Sequence, residues 1–213
     1  MSTHHAETLV SPLALRLGFW SAVVAFLTFV IYTVCFVAIL LSSPIFTWTT
    51  VADYVAYAEA YGGTFRSVAQ FAMLLFGLSV VVLFSSIHDI TEPEHRILTR
   101  VGLSFGLLFA VTIGIHYFTQ LSAVRLNVLA GQTEGLEYVV QANPYSILSA
   151  VNMLGWTVFL GTASLSVAMV FGASRPERLI RSALLLNALC CLSGGIGYVW
   201  EITWLVFVTT TLG

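Results

Sequence analysis

The stretch that decides the fold is residues 100–125, RVGLSFGLLFAVTIGIHYFTQLSAVR. It is apolar between two arginines and exceeds the ~20 residues that an α-helix needs to cross a bilayer. The sequence therefore predicts a transmembrane helix here, within residues 97–123.

This predicted helix has two distinct faces. One face repeats a small residue every fourth position: Gly102, Gly106, Ala110 and Gly114. Such a ridge lets another helix approach closely. The opposite face carries Thr112, His116 and Gln120 at the same spacing. Because lipid would penalise polar groups, the helix is expected to lie centrally among other helices.

The rest of the chain is also rich in apolar residues. Hydrophobic residues make up 58% of the 213 residues and charged residues only 8%, which excludes an ordinary soluble domain. The predicted fold class is all-α, a single polytopic transmembrane helix bundle over residues 1–213. Five apolar runs are long enough to span a membrane. They are 17–41, 67–87, 97–123, 146–173 and 179–205.

The C-terminal segment leaves an alternative open. Residues 202–213 stay apolar but are too short for a separate crossing after the fifth span. A truncated sixth helix is the alternative to five spans.

The arginines predict the orientation, because basic residues concentrate in short cytoplasmic segments. With the N-terminal segment 1–16 cytoplasmic, Arg66 and Arg125 lie outside, within outer segments 42–66 and 124–145. The remaining arginines fall inside: Arg16, Arg96, Arg100, Arg175, Arg178 and Arg181.

Composition also excludes several functions. The chain has no lysine, which rules out a retinal Schiff base and any lysine-based covalent chemistry. Its net charge is -2 and it has no basic cluster, so no nucleic-acid partner is expected. Cys35, Cys190 and Cys191 all fall within spans, and the last two are expected on different sides of their helix. No disulfide framework and no cofactor are predicted.

An internal repeat is suggested by two pairs of similar segments. DYVAYAEAY (53–61) resembles EYVVQANPY (137–145), and TEPE (91–94) resembles SRPE (174–177). The pattern predicts a parallel repeat of spans two and three with spans four and five, as in some transporters. The alternative is chance similarity between apolar helices. Residues 53–61 and 137–145 are expected to be amphipathic pieces at the outer interface, forming an aromatic belt or lids over a cavity.

The two inner turns have a structural interpretation. In TEPE and SRPE, a hydroxyl and a glutamate three residues later predict a capping box at each helix start. The first turn is rich in residues that could ligate a hard metal or zinc: His88, Asp89, Glu92, Glu94 and His95. Their spacing matches no standard motif, so no metal site is predicted.

Polar residues in the outer halves of the spans are the candidate functional residues. Ionisable groups within a membrane span are costly and often functional. The predicted ligand-binding cluster consists of Arg66, Gln70, His116, Gln120, Arg125, Asn152, Trp156 and Glu201. His116 and Glu201 are expected at similar heights, where they could relay a proton. The alternative is that the polar groups near the interface simply extend to water.

Two stretches carry a resemblance to known proteins. IHYFTQLSAVR (115–125) and NMLGWTVFLGTASL (152–165) resemble an uncharacterised family of bacterial multi-pass inner-membrane proteins. This resemblance implies a bacterial inner-membrane location and brings no activity or site.

The sequence leaves three functions open. The first is a membrane protein that binds a small or lipidic ligand in an outward-facing pocket, as a small transporter or sensor. The second is an accessory subunit, in which the small-residue ridge contacts a partner subunit or another copy. The third and least favoured is a membrane-embedded enzyme using His116 and Glu201 on an apolar substrate. No GxSxG, HExxH or P-loop motif is present, and only His116 could serve a haem from within a span.

Overall fold

The architecture is that of a computed structural model, which describes residues 11–172 and 174–212. Over these residues the chain is helical, without strands. The helices are α1 (Pro12–Ser42), α2 (Val51–Tyr61), α3 (Thr64–Ile90), α4 (Arg96–Thr119), α5 (Arg125–Leu129), α6 (Ile147–Leu154), α7 (Leu160–Ala168), α8 (Arg175–Val199) and α9 (Thr203–Leu212). Most of the predicted cytoplasmic segment 1–16, including His4 and His5, lies outside the described residues.

Five helical segments are long and apolar enough to cross a membrane. This confirms the prediction of a polytopic helix bundle. The segments are Pro12–Ser42, Thr64–Ile90, Pro93–Leu129, Ile147–Ala168 and Arg175–Val199. Successive spans alternate in direction, so the arginines predicted to be cytoplasmic lie at one end of the bundle. The other end carries α2 and the loop 130–146, and we call it the α2 end.

Two π-turns interrupt the spans near the α2 end. The first π-turn (Gln120–Val124) joins α4 to α5, and the Arg125 amide bonds to the Gln120 carbonyl. The second π-turn (Gly155–Phe159) joins α6 to α7, and the Leu160 amide bonds to the Gly155 carbonyl. Each turn accommodates one residue more than an α-helix does, a feature that is rare and frequent at functional sites.

The helix α4 is central, as its two faces predict. It contacts α3 on one side and α6, α7 and the second π-turn on the other. A Cβ added at Gly102 would lie 2.5 Å from the Val167 side chain of α7, and one at Gly106 would lie 2.8 Å from Phe84 of α3. The small-residue ridge is therefore used for packing within this chain.

The fifth span ends earlier than the predicted boundary at 205. The helix α8 stops at Val199, and α9 runs back antiparallel beside it, with Thr209 against Gly194. The turn is a Schellman motif: the amides of Glu201 and Ile202 bond to the carbonyls of Tyr198 and Gly197. Glu201 occupies its left-handed position with φ 55°, where glycine is usual. Sequence analysis missed this end because no glycine marks it.

The helix α9 has 10 residues. At ~1.5 Å per residue it spans about half of the hydrocarbon thickness. It lies within residues 202–213, the segment for which the sequence left five spans or a sixth helix open.

Only one of the two predicted capping boxes begins to form. The Ser174 hydroxyl accepts a hydrogen bond from the Glu177 amide and caps α8. Thr91 instead ends α3 and donates to the Ile87 carbonyl, while the short 3-10 turn Pro93–His95 leads into α4. The capping prediction for TEPE is therefore wrong, because Pro93 starts a separate turn before α4.

The two segments of the suggested repeat differ in conformation. Residues 53–61 fall within α2, whereas 137–145 form a 3-10 turn and an irregular loop. The two amphipathic pieces therefore do not share one conformation: Pro144 disfavours helix at the preceding residue, and Asn143 donates to the Glu137 carbonyl and accepts from the Tyr145 backbone amide.

Candidate functional site

The α2 end of the bundle contains two adjoining chambers, each of about 260 Å³. The first chamber lies between α1, α2, α3, α4 and the loop. It is lined by Tyr32, Phe36, Ile39, Phe46, Tyr54, Tyr57, Arg66, Ala69, Gln70, Tyr117, Gln141 and Ala142. The second chamber lies deeper, and its lining is Phe29, Tyr32, Tyr117, Gln141, Asn152, Met153, Trp156, Thr157, Leu160, Asn187, Cys190, Cys191, Gly194 and Thr209.

Three residues border both chambers: Tyr32, Tyr117 and Gln141. They form the boundary between an upper compartment beside α2 and a lower one among the spans. Two aromatic rings with hydroxyl groups and one amide give this boundary both apolar surface and hydrogen-bonding capacity. We call these three residues the partition.

His116 is fully buried beside the partition. Its Nδ1 atom lies 3.0 Å from the Leu148 carbonyl oxygen, which can only accept, so Nδ1 carries the proton. The neutral ring then presents Nε2 as an acceptor, and this atom has no hydrogen-bond partner among the described residues. The Gln141 side chain lies next to the imidazole. A buried acceptor without a partner is costly, which marks this position for attention.

Gln120 fixes the loop that closes the chambers. Its side-chain Nε2 donates to the Val139 backbone carbonyl at 2.6 Å, and its Oε1 accepts from the Gln141 backbone amide at 3.0 Å. Gln70 on α3 donates to the Gln141 Oε1 at 3.0 Å. The predicted residues Gln70 and Gln120 thus hold Gln141 in place from two different helices.

The second π-turn positions an aromatic wall of the second chamber. Trp156 stacks on Phe76 at 5.8 Å and meets Phe109 edge-on at 5.0 Å. Asn152, one turn earlier, lies with Trp156 beside the Tyr117 hydroxyl. The buried Oδ1 atom of Asn152 has no hydrogen-bond partner in the described part of the chain.

The two arginines at this end differ in their surroundings. Arg66 is half-buried at the first chamber, and its guanidinium carbon lies 5.7 Å and 5.5 Å from the ring centres of Tyr54 and Tyr57. Arg125 is exposed and donates to the Leu121 carbonyl of its own helix. Both border a neighbouring groove, but only Arg66 lines a chamber.

The Asp53 side chain on α2 accepts hydrogen bonds from the two threonines that precede the helix. The Thr49 and Thr50 hydroxyls each donate to the Asp53 carboxylate at 2.7 Å. These hydrogen bonds lower the pKa of the Asp53 carboxyl from its usual value. The carboxylate in turn stabilises the N-terminus of α2, which begins next to it.

Glu201 does not join the other predicted site residues. It is exposed in the α8–α9 turn and lines a separate open groove of about 840 Å³ with Pro144, Tyr198 and Phe207. His116 is fully buried, whereas Glu201 is exposed in the turn that follows α8, and no hydrogen bond joins the two side chains among the described residues. His116 and Glu201 border no common cavity among those described.

Sequence analysis missed the partition entirely. Tyr32 and Tyr117 look like ordinary core aromatics, and Gln141 was assigned to an interfacial segment. The local signal was weak: Gln141 stands where the similar segment 53–61 has Tyr57. Its place follows from hydrogen bonds between elements distant in sequence.

Two of the three cysteines line the second chamber, Cys190 and Cys191. Their predicted placement on different sides of the helix is compatible with this position. Neighbouring positions differ by ~100° around a helix, which still allows both to border one wide cavity. Cys35 is buried on α1 away from this lining.

The polar turn at the opposite end is exposed. In the described residues, Glu92, Glu94 and His95 bring potential ligand atoms within 4.8 Å of one another. His88 instead bonds to the Thr99 hydroxyl at 2.8 Å. Exposed acidic residues are common in turns that contact water. No other feature of the described residues indicates a metal site here.

Comparisons with protein-family models, curated proteins and solved structures found no match to this chain. The function is therefore argued from the geometry of the chambers.

Proposed function

We propose that this multi-pass membrane protein binds a small, largely apolar molecule in the two chambers, as a transporter or sensor. The observation that carries the proposal is the partition: Tyr32, Tyr117 and Gln141 border both chambers. Such a concave, mostly hydrophobic and aromatic site with a few placed polar groups is the usual form of a small-molecule site.

One unpartnered atom in the chamber lining supports a polar group on the ligand. The buried Oδ1 atom of Asn152 has no hydrogen bond among the described residues, and Asn152 lines the second chamber. This oxygen can accept, so a ligand hydroxyl or amine there would relieve the cost of its burial. His116 lines neither chamber and lies next to Gln141, which borders both.

The setting that fits this proposal is a bacterial inner membrane, as the resemblance of residues 115–125 and 152–165 implies. The predicted orientation would open the first chamber to the outer side of that membrane. An accessory-subunit role has less support, because Gly102 and Gly106 pack against Val167 and Phe84 of the same chain. An acid–base enzyme using His116 and Glu201 has less support still, because Glu201 lies in the separate groove.

Native mass spectrometry of the protein, gently extracted from its own membrane, tests the proposal. The wild-type protein should carry a discrete bound small molecule. Asn152→Leu replaces the unpartnered amide with an apolar group of similar size and should lose that molecule. Glu201→Gln is the matched control, since Glu201 lines only the separate groove, and it should retain the molecule.

Thiol labelling provides an independent readout. Cys191 lines the second chamber and is half-buried, so an occupied chamber should slow its alkylation by a small membrane-permeant maleimide. Cys35 lies outside the chamber lining and serves as the internal control. A wild-type protein that carries no small molecule but a stoichiometric protein partner would overturn the proposal in favour of an accessory subunit.

A further inference from the structure

The first chamber has a positive charge at its border. Arg66 lies in the first turn of α3, and its guanidinium lies over the rings of Tyr54 and Tyr57 at 5.7 Å and 5.5 Å. Its Nη1 atom is 3.5 Å from the Tyr54 hydroxyl. Contacts with two rings hold a planar guanidinium in a fixed orientation while leaving its edge free to bind.

This charge has no acidic partner in the described residues. No carboxylate lies within ion-pairing distance of Arg66. On α2, the Asp53 carboxylate is occupied by the Thr49 and Thr50 hydroxyls. Glu59 is exposed and borders the neighbouring groove with Arg66 without pairing with it. An oriented guanidinium without a carboxylate favours an anion from outside the chain.

The rest of the chamber is largely apolar. Phe36, Ile39, Phe46 and Ala69 line it together with Arg66, and Gln70 adds an amide one turn along α3. The lining thus changes from a cationic edge to an aromatic and aliphatic interior. A molecule with an anionic head and an apolar chain matches this arrangement better than a compact polar ion.

We propose that Arg66 binds the anionic head, a carboxylate or phosphate monoester, of a single-chain amphiphile whose apolar part enters the first chamber toward the partition. This inference rests on the proposed ligand-binding function and specifies the chemistry of the ligand. Arg66 supplies the charge, Tyr54 and Tyr57 fix its orientation, and Gln70 offers a hydrogen bond to the head.

The test uses the full-length protein in nanodiscs of phosphatidylcholine, which carries no net charge. The probes are dodecanoate, dodecyl phosphate and 1-dodecanol, which share one chain and differ in the head. We expect the two anions to bind about tenfold or more tightly than the alcohol, a difference typical of one charge-assisted contact. Arg66→Gln should reduce both anions to the level of the alcohol, while the matched control Arg125→Gln should leave the preference unchanged.

The wild-type preference alone can overturn the inference, so it does not depend on a variant that folds. Equal binding of all three probes would overturn the anionic head and leave the ligand-binding chambers standing. An equal loss in Arg66→Gln and Arg125→Gln would also overturn it, because general surface charge would then explain the preference. Arg66→Lys keeps the charge and should retain most of the preference. If no probe binds and no molecule co-purifies, the proposed function fails as well.

Two further arms identify the source of the anion. Addition of phosphatidic acid to the nanodisc should displace dodecyl phosphate if the natural head belongs to a membrane lipid. Displacement by free dodecanoate but not by phosphatidic acid would identify a free carboxylate amphiphile. Either outcome supports the anionic site at Arg66.

Discussion

From Gly102 to Ile113, α4 packs closely against α3 and α7, whereas further along the same helix Tyr117 borders the two chambers. In the packed half, Met73, Phe109 and Ile113 are fully buried, and glycines bring the backbones together. In the open half, Gln70, Gln120 and Asn152 replace such contacts with hydrogen bonds or leave polar atoms unpaired. The packed half holds the bundle so that the open half can remain incompletely filled.

The second π-turn lies at the boundary between the halves. It begins at Gly155, whose added Cβ would meet Ile113 of the packed half, and its residues Trp156 and Thr157 line the second chamber. The first π-turn, which begins at Gln120, borders the neighbouring groove instead. A π-turn contains one residue more than an α-helical turn. The side chains that follow it therefore face a different direction from the one that a continuous α-helix would give them, and they do not extend the packing of the preceding turns. The space in the bundle therefore arises from helix geometry as well as from side-chain size.

The largest effect is expected from filling the packed half. In Gly102→Ala, the new Cβ would lie 2.5 Å from Val167 Cγ2 and 3.3 Å from the Ala163 carbonyl. Overpacking of this kind should lower the free energy of unfolding by about 1–3 kcal/mol. Thermal unfolding in detergent measures it.

Two variants sharpen this prediction. Val167→Ala combined with Gly102→Ala should recover much of the loss, because the clashing methyl group is removed. Gly114→Ala on the same helix should cause no loss, since its Cβ would meet only Leu74 at 3.9 Å. Equal losses at Gly102 and Gly114 would contradict the contrast between the two halves.

The second effect concerns the loop that closes the chambers. Gln120→Leu leaves the Val139 carbonyl and the Gln141 amide without their partners, which should cost about 1–3 kcal/mol. Hydrogen exchange at residues 139–141 should rise together with this loss. Gln132→Leu, at an exposed position of the same loop, should change stability by less than about 0.5 kcal/mol. Unchanged hydrogen exchange at residues 139–141 in Gln120→Leu would show that the Gln120 side chain does not hold the loop.

The third effect separates two asparagines that line the second chamber. Asn152→Leu removes a buried oxygen that has no partner and should leave stability unchanged or raise it by about 1 kcal/mol. Asn187→Leu breaks a 2.8 Å hydrogen bond to the Ser164 hydroxyl and should lower stability by about 1 kcal/mol. Unfolding of both apo variants side by side is the measurement. A clear loss of stability in Asn152→Leu would mean that Asn152 stabilises the fold and is not reserved for binding a ligand.

The smallest effect is at the start of α2. Because the Asp53 pKa is lowered in the folded protein, its contribution is present above the ordinary pKa of an aspartate and disappears as pH falls through the lowered value. Hydrogen exchange in α2 should therefore increase on acidification below the ordinary aspartate range, after correction for the intrinsic rate. Asp53→Asn should remove this pH dependence. Equal dependence in both proteins would exclude Asp53 as its cause.

Most of the bundle could be predicted from the sequence. The apolar runs are long, so the five spans follow from composition, and the spacing of Gly102 and Gly106 against His116 and Gln120 predicts that α4 is central. The same reasoning identified Gln70, His116, Gln120 and Asn152, which the structure gathers at the α2 end.

The remaining features depend on tertiary contacts that leave little mark in sequence. A π-turn has the composition of any helix, so neither Gln120–Val124 nor Gly155–Phe159 could be recognised. The end of α8 has Glu201 where glycine is usual, so the reversal into α9 was missed and Glu201 was assigned to the wrong surroundings. Gln141 reaches the partition only because Gln70 and Gln120 bind it.

In genetic terms, the second π-turn makes the second chamber sensitive to insertions and deletions as well as to substitutions. The turn corresponds to a single additional codon within an otherwise regular helix. Removing one codon from it would restore an α-helix and withdraw the extra residue beside Trp156, while the residues beyond the turn would keep their orientation. A packed bundle can gain or lose internal space through such single-codon events while its spans, turns and apolar composition stay the same.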